Sequence, residues 1–496
     1  MRDGGSGLKS ALERSTAHFI LARTRMKKVF LAVIGILLVA VALAVLPFWA
    51  GQKSQQSLDH WVAQMNQLGG YDLRWEKYQR NWMDTEAVLR VGLKMPASLK
   101  DLDVVEDLSL PLQVHLHHGP VMWRDGAKIG WFSGKFYLSG EHQSWVEKNL
   151  TVDGEGPFFV SEIQMDLLGK TTIRDRSLPF EVNLEEDNQL VLAGYQGEGT
   201  VSRNGLVQYR GILSAVNVRG EDEKDNMQLK DMEFRVNSDF GGKVGQYLIP
   251  GSAEFTLASM SASGDAGEAF SLRDATFSTD MTFNKEKTAG NMRMVMAFGE
   301  LNVLEEKVEN AKLDFSFNNL SVTFLDKYME LVQQMYNGGG EVNPLLAMQM
   351  MGLVASDLLP AGPQLSIKEL GFKTAEGALS FNGKVSVSPE AAKSMSDPMA
   401  MLSHITMDAA FSADKPLAFR LARESALKDL NAEQFEGGEQ MTEEEKQALA
   451  DNQAQMKLDM LIIQGTLVDK GEQYQSQFSF KNGKVEVNGQ PLPLPF

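Results

Sequence analysis

The chain has 496 residues, 43 % of them apolar and 23 % charged, the composition of a folded protein long enough for more than one domain-sized unit. It has no cysteine, which excludes disulfides, thiolate metal sites, cysteine catalysis and lipidation of an N-terminal cysteine. The net charge is −17, but residues 1–50 hold seven Lys/Arg against two Asp/Glu, so the remainder carries 41 basic and 63 acidic residues with no evident basic cluster, a surface expected to repel nucleic acid and anionic headgroups.

Residues 1–25 read as a disordered cytoplasmic extension, and Met26-Lys27-Lys28 resembles a natural start. Residues 26–50 read as a transmembrane signal anchor. Val29 to Leu46 (VFLAVIGILLVAVALAVL) is free of charge and would span about 27 Å as a helix, close to the depth of a bilayer's hydrocarbon core. Arg23, Arg25, Lys27 and Lys28 precede it and Phe48 and Trp49 follow, so the chain beyond residue 50 is expected across the membrane. The competing reading, a cleaved signal peptide, has Ala42-Leu43-Ala44 as its small-residue site, but the apolar run is long for one and Pro47 follows.

Residues 51–70 read as a polar stalk becoming a short helix, with Trp61, Val62, Met65 and Leu68 on one face and Gly69-Gly70 ending it. From Tyr71 to about residue 320 the apolar period is two. Leu313, Phe315 and Phe317 alternate with polar residues, as do Met292, Met294, Met296 and Phe298, and Leu379, Phe381, Val385 and Val387. One apolar and one wet face is the pattern of antiparallel strands. Asn-Gly pairs at 204–205, 382–383, 482–483 and 488–489 suit tight hairpin turns. Trp75, Trp82, Trp123 and Trp131 on the early strands are expected in the core.

Residues 321–496 are mixed. The spacing predicts a helix over 321–337 and another over 344–359, the latter with Asn343 as cap and Pro344 at its first position. That helix carries Met348, Met350, Met351 and Leu353. It is expected in the core, with an apolar-ligand or partner surface as the alternative. Strands follow at 365–387, helices near 389–403, 416–430 and 442–458 (Thr442 and Glu445 placed as a capping box), then strands near 460–467 and 474–487.

Three of the seven histidines lie in "QVHLHHGPVM" (113–122). On a strand, His115 and His117 share a face, an arrangement that zinc uses, yet a catalytic zinc needs a third ligand and an open position. The bland reading, a wet strand face entering a turn at Gly119-Pro120, is preferred, so no catalytic residue, metal or cofactor is assigned. Gly169-Lys170-Thr171 fails as a phosphate loop because Gln164 stands where its first glycine is needed.

The order of a basic start, one anchor helix, "YQRNWMDTEAVLRV" (78–91), "HHGPV" (117–121), "NNLSVTFLDKYMEL" (318–331) and "FKNGKVEVNGQPLPL" (480–494) resembles the YdgA-like proteins of the Gram-negative cell envelope, a domain of unknown function. The resemblance implies an inner-membrane anchor and a periplasmic body, and it supplies no reaction. The fold expected is strand-dominated α+β: a long antiparallel twisted sheet partly covered by helices of the C-terminal half. The function expected is non-catalytic, a bitopic inner-membrane protein that binds, bridges or scaffolds in envelope maintenance, its partner a lipid or an envelope protein. The alternatives are a carrier of lipid along a curved sheet with the Met-rich helices as lid, and an enzyme, metal-assisted through His115 and His117.

Overall fold

The computed structural model describes residues 46–66 (except 48, 53, 57, 64 and 65), 71–93, 109–123, 126–138, 140–183, 189–220, 226–246, 248–264, 267–303, 306–337, 344–394, 397–435 and 442–492. The extension and the apolar run expected to form the anchor lie outside these residues, apart from the run's last position, Leu46. Among the described residues no helix is long and apolar enough to cross a membrane.

The expected antiparallel sheet is present, in one piece. Nineteen strands follow each other as an uninterrupted meander, each paired antiparallel with the next: β1 (Tyr71–Arg80), β2 (Asp84–Leu93), β3 (Ser109–His118), β4 (Phe132–Leu138), β5 (Phe159–Met165), β6 (Thr171–Ser177), β7 (Tyr195–Val201), β8 (Leu206–Arg219), β9 (Asn226–Asp239), β10 (Gly251–Gly264), β11 (Gly267–Phe283), β12 (Ala289–Val303), β13 (Glu306–Ser321), β14 (Gln364–Thr374), β15 (Gly377–Val387), β16 (Ile405–Asp414), β17 (Gln473–Lys481), β18 (Lys484–Val487) and β19 (Gln490–Leu492). Four short strands bring the total to 23. At the usual strand spacing the meander is about 85 Å wide along its hydrogen bonds. The same sheet runs through both the strand-rich region before residue 320 and the mixed region after it.

Three of the four Asn-Gly pairs make the expected turns. At 482–483 and 488–489 both residues have positive φ, as the favoured hairpin turn requires. The fourth, Asn382-Gly383, runs straight through β15. A Cβ on Gly383 would stand 3.1 Å from the Phe381 ring, so this glycine makes room for a neighbour.

Helices cover the sheet only in places. The helical stretch within 46–66 lies across β1 to β5, where Leu58 and Val62 pack with Leu73, Leu89, Val114, Leu116, Phe132 and Phe136. Asn66 ties its end to the sheet, both donating to and accepting from the backbone of Leu73 at 2.7 Å. A helix missing from the sequence reading, α1 (Gly140–Asn149), joins β4 to β5. The next, α2 (Val322–Asn337), seats Val322 against Val244 and Leu248 beside Met281 and Phe283. Then come α3 (Pro344–Leu353) and α4 (Pro398–Leu402), the latter a short turn where a longer helix was expected. The long pair α5 (Lys415–Phe435) and α6 (Glu443–Ile463) packs together through Ala426, Leu430 and Ala450, and meets Phe411 and Tyr474 through Phe419, Ala422 and Leu458. The Thr442–Glu445 capping box is formed. Helix α6 then continues to Ile463, through residues expected to begin a strand.

The 344–359 segment departs from expectation in another way. It is α-helical only to Leu353, passes through a π turn over Val354–Leu358, and ends as a short 3-10 turn. Met348 and Met351 are largely exposed, Met350 and Leu353 half-buried, and the deeply buried residue is Leu359 at the far end. An element apolar nearly all the way round has no face that its sequence marks as inner. Two of the tryptophans also differ: Trp75 and Trp131 pack against the core, but Trp82 and Trp123 project from turns.

Candidate functional site

Register gives the sheet its chemistry. Directly opposed residues of paired strands lie on the same face, so a row can be followed from strand to strand. One row reads Asp84, His117, Ser133, Gln164, Thr172, Thr200, Gln208, Asn237, Ser252, Asp280, Arg293, Ser316, Ser366, Lys384, Asp408, Ser479, Glu486. Seventeen strands contribute to it, and none places an apolar side chain there. Moving one residue along each strand turns to the other face. There the row reads Thr85, Leu116, Gly134, Ile163, Ile173, Gly199, Tyr209, Val236, Ala253, Thr279, Met294, Phe315, Ile367, Gly383, Ala409, Phe478, Val487. The sheet has one polar and one apolar side over almost its whole width.

Cross-strand ion pairs bind the polar side. Arg210 makes two contacts to Glu233, at 2.6 and 3.0 Å, and Arg235 reaches Glu254 at 2.7 Å. Arg293 grips Asp314 at 2.9 and 2.6 Å. Asp314 is buried, and the guanidinium holds its carboxyl below the usual range despite the opposing effect of desolvation. A cleft of about 650 Å³ on this side is lined by Lys368, Lys384, Asp408 and Glu486, charges of both signs and no cluster of one.

The apolar side is roofed at its edges and bare in the middle. Its most prominent strip runs Phe234, Phe255, Phe277, Met296, Leu313, Leu370, Phe381, Phe411, one residue from each of β9 to β16. Phe411 lies under α5 and α6. Phe234, Phe255, Phe277, Met296 and Leu370 keep 37–45 % of their surface exposed. Across eight strands the strip measures about 34 Å, close to a bilayer's hydrocarbon thickness.

At its other end the strip meets a polar group set into the apolar side. The Tyr209 hydroxyl donates to Asp175 Oδ2 at 2.5 Å and lies 2.5 Å from the Tyr195 hydroxyl, and both rings stack on Phe234. Two glycines make this possible: a Cβ on Gly197 would stand 2.0 Å from Tyr209 Oη, and one on Gly211 2.4 Å from Tyr195 Oη. The phenols therefore lie flat across the sheet. Burial, reinforced by the hydrogen bond to Asp175, raises the ionisation of Tyr209 far above that of a free phenol. Asp175 Oδ1 is buried without a hydrogen-bond partner among the described residues.

The histidines part company. His115 and His117 share the polar face, with His117 Nδ1 2.8 Å from Asp84 Oδ1. Among the described residues no group of three or more His, Asp or Glu is placed to hold a metal ion. The strand continues one residue further than the turn suggested, and His118 faces the apolar side, fully buried against Gly51 of the N-terminal helix. Its Nε2 lies 3.0 Å from Thr85 Oγ1, its Nδ1 has no partner among the described residues, and burial lowers its pKa to about 4. Gly119 is needed for closeness: a Cβ there would fall 1.5 Å from the Gly130 carbonyl oxygen.

Sequence reasoning named Met348, Met350, Met351 and Leu353 as a possible apolar-ligand or partner surface; Met348 and Met351 are exposed, and the strands present a second bare apolar area that it did not name. The signal was the alternation itself, seen at 292–298 and 313–317. Only pairing shows that these short runs line up into one strip.

No curated protein and no solved structure matches the chain. A family model described as bacterial protein of unknown function, DUF945, matches residues 26–495. With that match covering nearly its whole length, the chain belongs to the DUF945 family of bacterial proteins.

Proposed function

We propose that this protein is a non-catalytic, inner-membrane-anchored envelope protein whose sheet carries the acyl chains of a lipid along its apolar side. The observation that carries the reading is the bare strip from Phe234 to Leu370. A contiguous exposed apolar area of this kind marks a surface that something apolar covers. No side chain of the strip has a hydrogen-bonding group, so its occupant needs none along its length, which describes a hydrocarbon chain better than a folded protein's mixed surface. Met294 and Met296, beside and within it, are unbranched and adapt to a chain of varying shape. The Tyr195–Tyr209–Asp175 group at one end offers polar contacts to an amphiphile's head. The anchor reading of residues 26–50 supplies a source of lipid at the chain's own start.

Native mass spectrometry of the full chain, extracted in mild detergent, tests this. Phospholipid adducts are expected on the protein, and they should be lost when Phe255→Asp and Phe277→Asp are combined in a variant that keeps its fold. Adducts of a stoichiometric envelope protein without lipid would instead support a scaffold. Stoichiometric zinc would support the enzyme reading through His115 and His117.

A further inference from the structure

Antiparallel pairing sends alternate turns to the same end of the sheet. The turns at 81–83, 119–131, 166–170, 202–205, 240–250 and 284–288 all fall at one end. Nearest the first strands, their tips are apolar and aromatic. Trp123 is 73 % and Leu168 82 % exposed, and Trp82, Ile129 and Leu167 also face solvent. The N-terminal helix begins at this end: Trp49 lies edge-on to Trp131 at 5.2 Å, and Trp131 Nε1 donates to the Leu167 carbonyl. From there the helix runs to Asn66 at the opposite end. The 18-residue apolar run, ending at Leu46, therefore leads directly to the end bearing the exposed tryptophans.

Charge marks the part of this end nearest the first strands. In a chain of net charge −17, the described residues of these six turns include Lys128, Lys170, Arg203, Lys243, Lys285 and Lys287 against Asp166 and Glu286, while the later connections at the same end, 322–363 and 388–404, are acidic, so the positive charge gathers beside the exposed tryptophans. At the opposite end, which also bears Glu376, the connection 139–158 holds four Asp/Glu against Lys148. Exposed Trp and Leu flanked by Lys and Arg, next to the end of a membrane-length apolar segment, is the composition of a bilayer interface.

We infer that this end of the sheet rests on the membrane, with Trp82, Trp123, Ile129 and Leu167–Leu168 in the headgroup layer of an anionic bilayer. The tips hold the sheet in a fixed orientation beside the anchor. The inference rests on the anchor and is independent of whether the strip carries lipid.

The absence of cysteine makes the test clean. Single variants Trp123→Cys, Leu168→Cys, Glu376→Cys and Ala40→Cys of the full chain are labelled with a fluorophore. Each is reconstituted into vesicles of phosphatidylethanolamine and phosphatidylglycerol containing lipids with a nitroxide near the headgroup or deep in the acyl chain. Probes at 123 and 168 should be quenched by the shallow nitroxide about threefold or more above the probe at 376, as expected for interfacial residues. The probe at 40 should respond to the deep nitroxide. Equal, weak quenching at 123, 168 and 376 with strong quenching at 40 would overturn the inference and leave the anchor standing. Weak quenching at 40 would remove the anchor and the inference with it. Shielding of 123 and 168 from aqueous quencher without quenching by lipid would assign the surface to a protein partner, again against the inference.

Discussion

Two regions of one sheet, β1–β5 and β9–β14, share the same alternation and differ in what lies above it. Over β1–β5 the helix within 46–66 seals the apolar side, and Val114 and Leu116 are completely buried. Over β9–β14 the equivalent side holds larger side chains, among them Phe234, Phe255 and Phe277, and leaves them more than a third exposed. The second region does not need a roof to form. Its strands run to 17 residues, they pair along most of their length with only local bulges, and Arg210–Glu233, Arg235–Glu254 and Arg293–Asp314 bridge strands from the polar side. Apolar area that the fold does not require to be buried is available to a ligand.

The comparison breaks first where the roof is tightest. Leu116→Ala removes a fully buried side chain beneath the helix and should cost ~2–5 kcal/mol. Gly119→Ala should be at least as harmful, since its Cβ would collide with backbone at Gly130 and no side-chain rotation relieves that. Urea unfolding of each variant measures the loss. Near-native midpoints for both would mean that the helix is not seated where it is placed.

Next comes a pH effect confined to the roofed region. His118 is neutral when folded, with a pKa near 4, while the unfolded ring titrates near 6.5. Between these values the unfolded chain binds the extra proton, so stability falls as pH drops from about 6.5 towards 4. The full difference is about 3 kcal/mol. His118→Gln should flatten this dependence. A parent protein with the same unfolding midpoint at pH 7 and pH 5 would contradict the burial of His118.

Much of the sheet was legible in the sequence because alternation is a local signal: β12, β13 and β15 could be read from residues 292–298, 313–317 and 379–387. Sidedness over 17 strands was not, because it depends on register between residues far apart in the chain. Local rules failed where a residue answered to a neighbour across the sheet. Asn382-Gly383 carries a turn signal, but Gly383 serves the Phe381 ring. Trp82 and Trp123 carry a core signal, but they sit on turns beyond the strand ends. His118 was read as turn because of Gly119-Pro120, and only the Gly51 contact shows that it belongs to a helix interface.

A smaller effect is expected on the polar side. Arg293→Ala leaves the Asp314 carboxylate buried without its cation, at a cost of about 1–3 kcal/mol. Adding Asp314→Asn should recover part of this, because the neutral amide has less to lose from desolvation. Thermal unfolding of the single and double variants measures the coupling, and strict additivity would show that the pair does not act as a unit.

The smallest change in stability should come from the strip itself, and it sharpens the comparison most. Phe255 stands opposite Phe234 and Phe277, and its upper surface meets no roof among the described residues. Phe255→Ser therefore forfeits cross-strand contacts and creates no sealed cavity, which puts the cost near ~1 kcal/mol. The same change at Leu116 would bury a hydroxyl under the helix and cost several times as much. Solubility should move the other way, since Phe255→Ser interrupts the apolar area and Leu116→Ser exposes nothing new. Parallel unfolding and sedimentation of the two variants checks both halves. If Phe255→Ser destabilises as strongly as Leu116→Ser, the strip is covered within the chain's own fold, and the bare surface that supports lipid carriage does not exist.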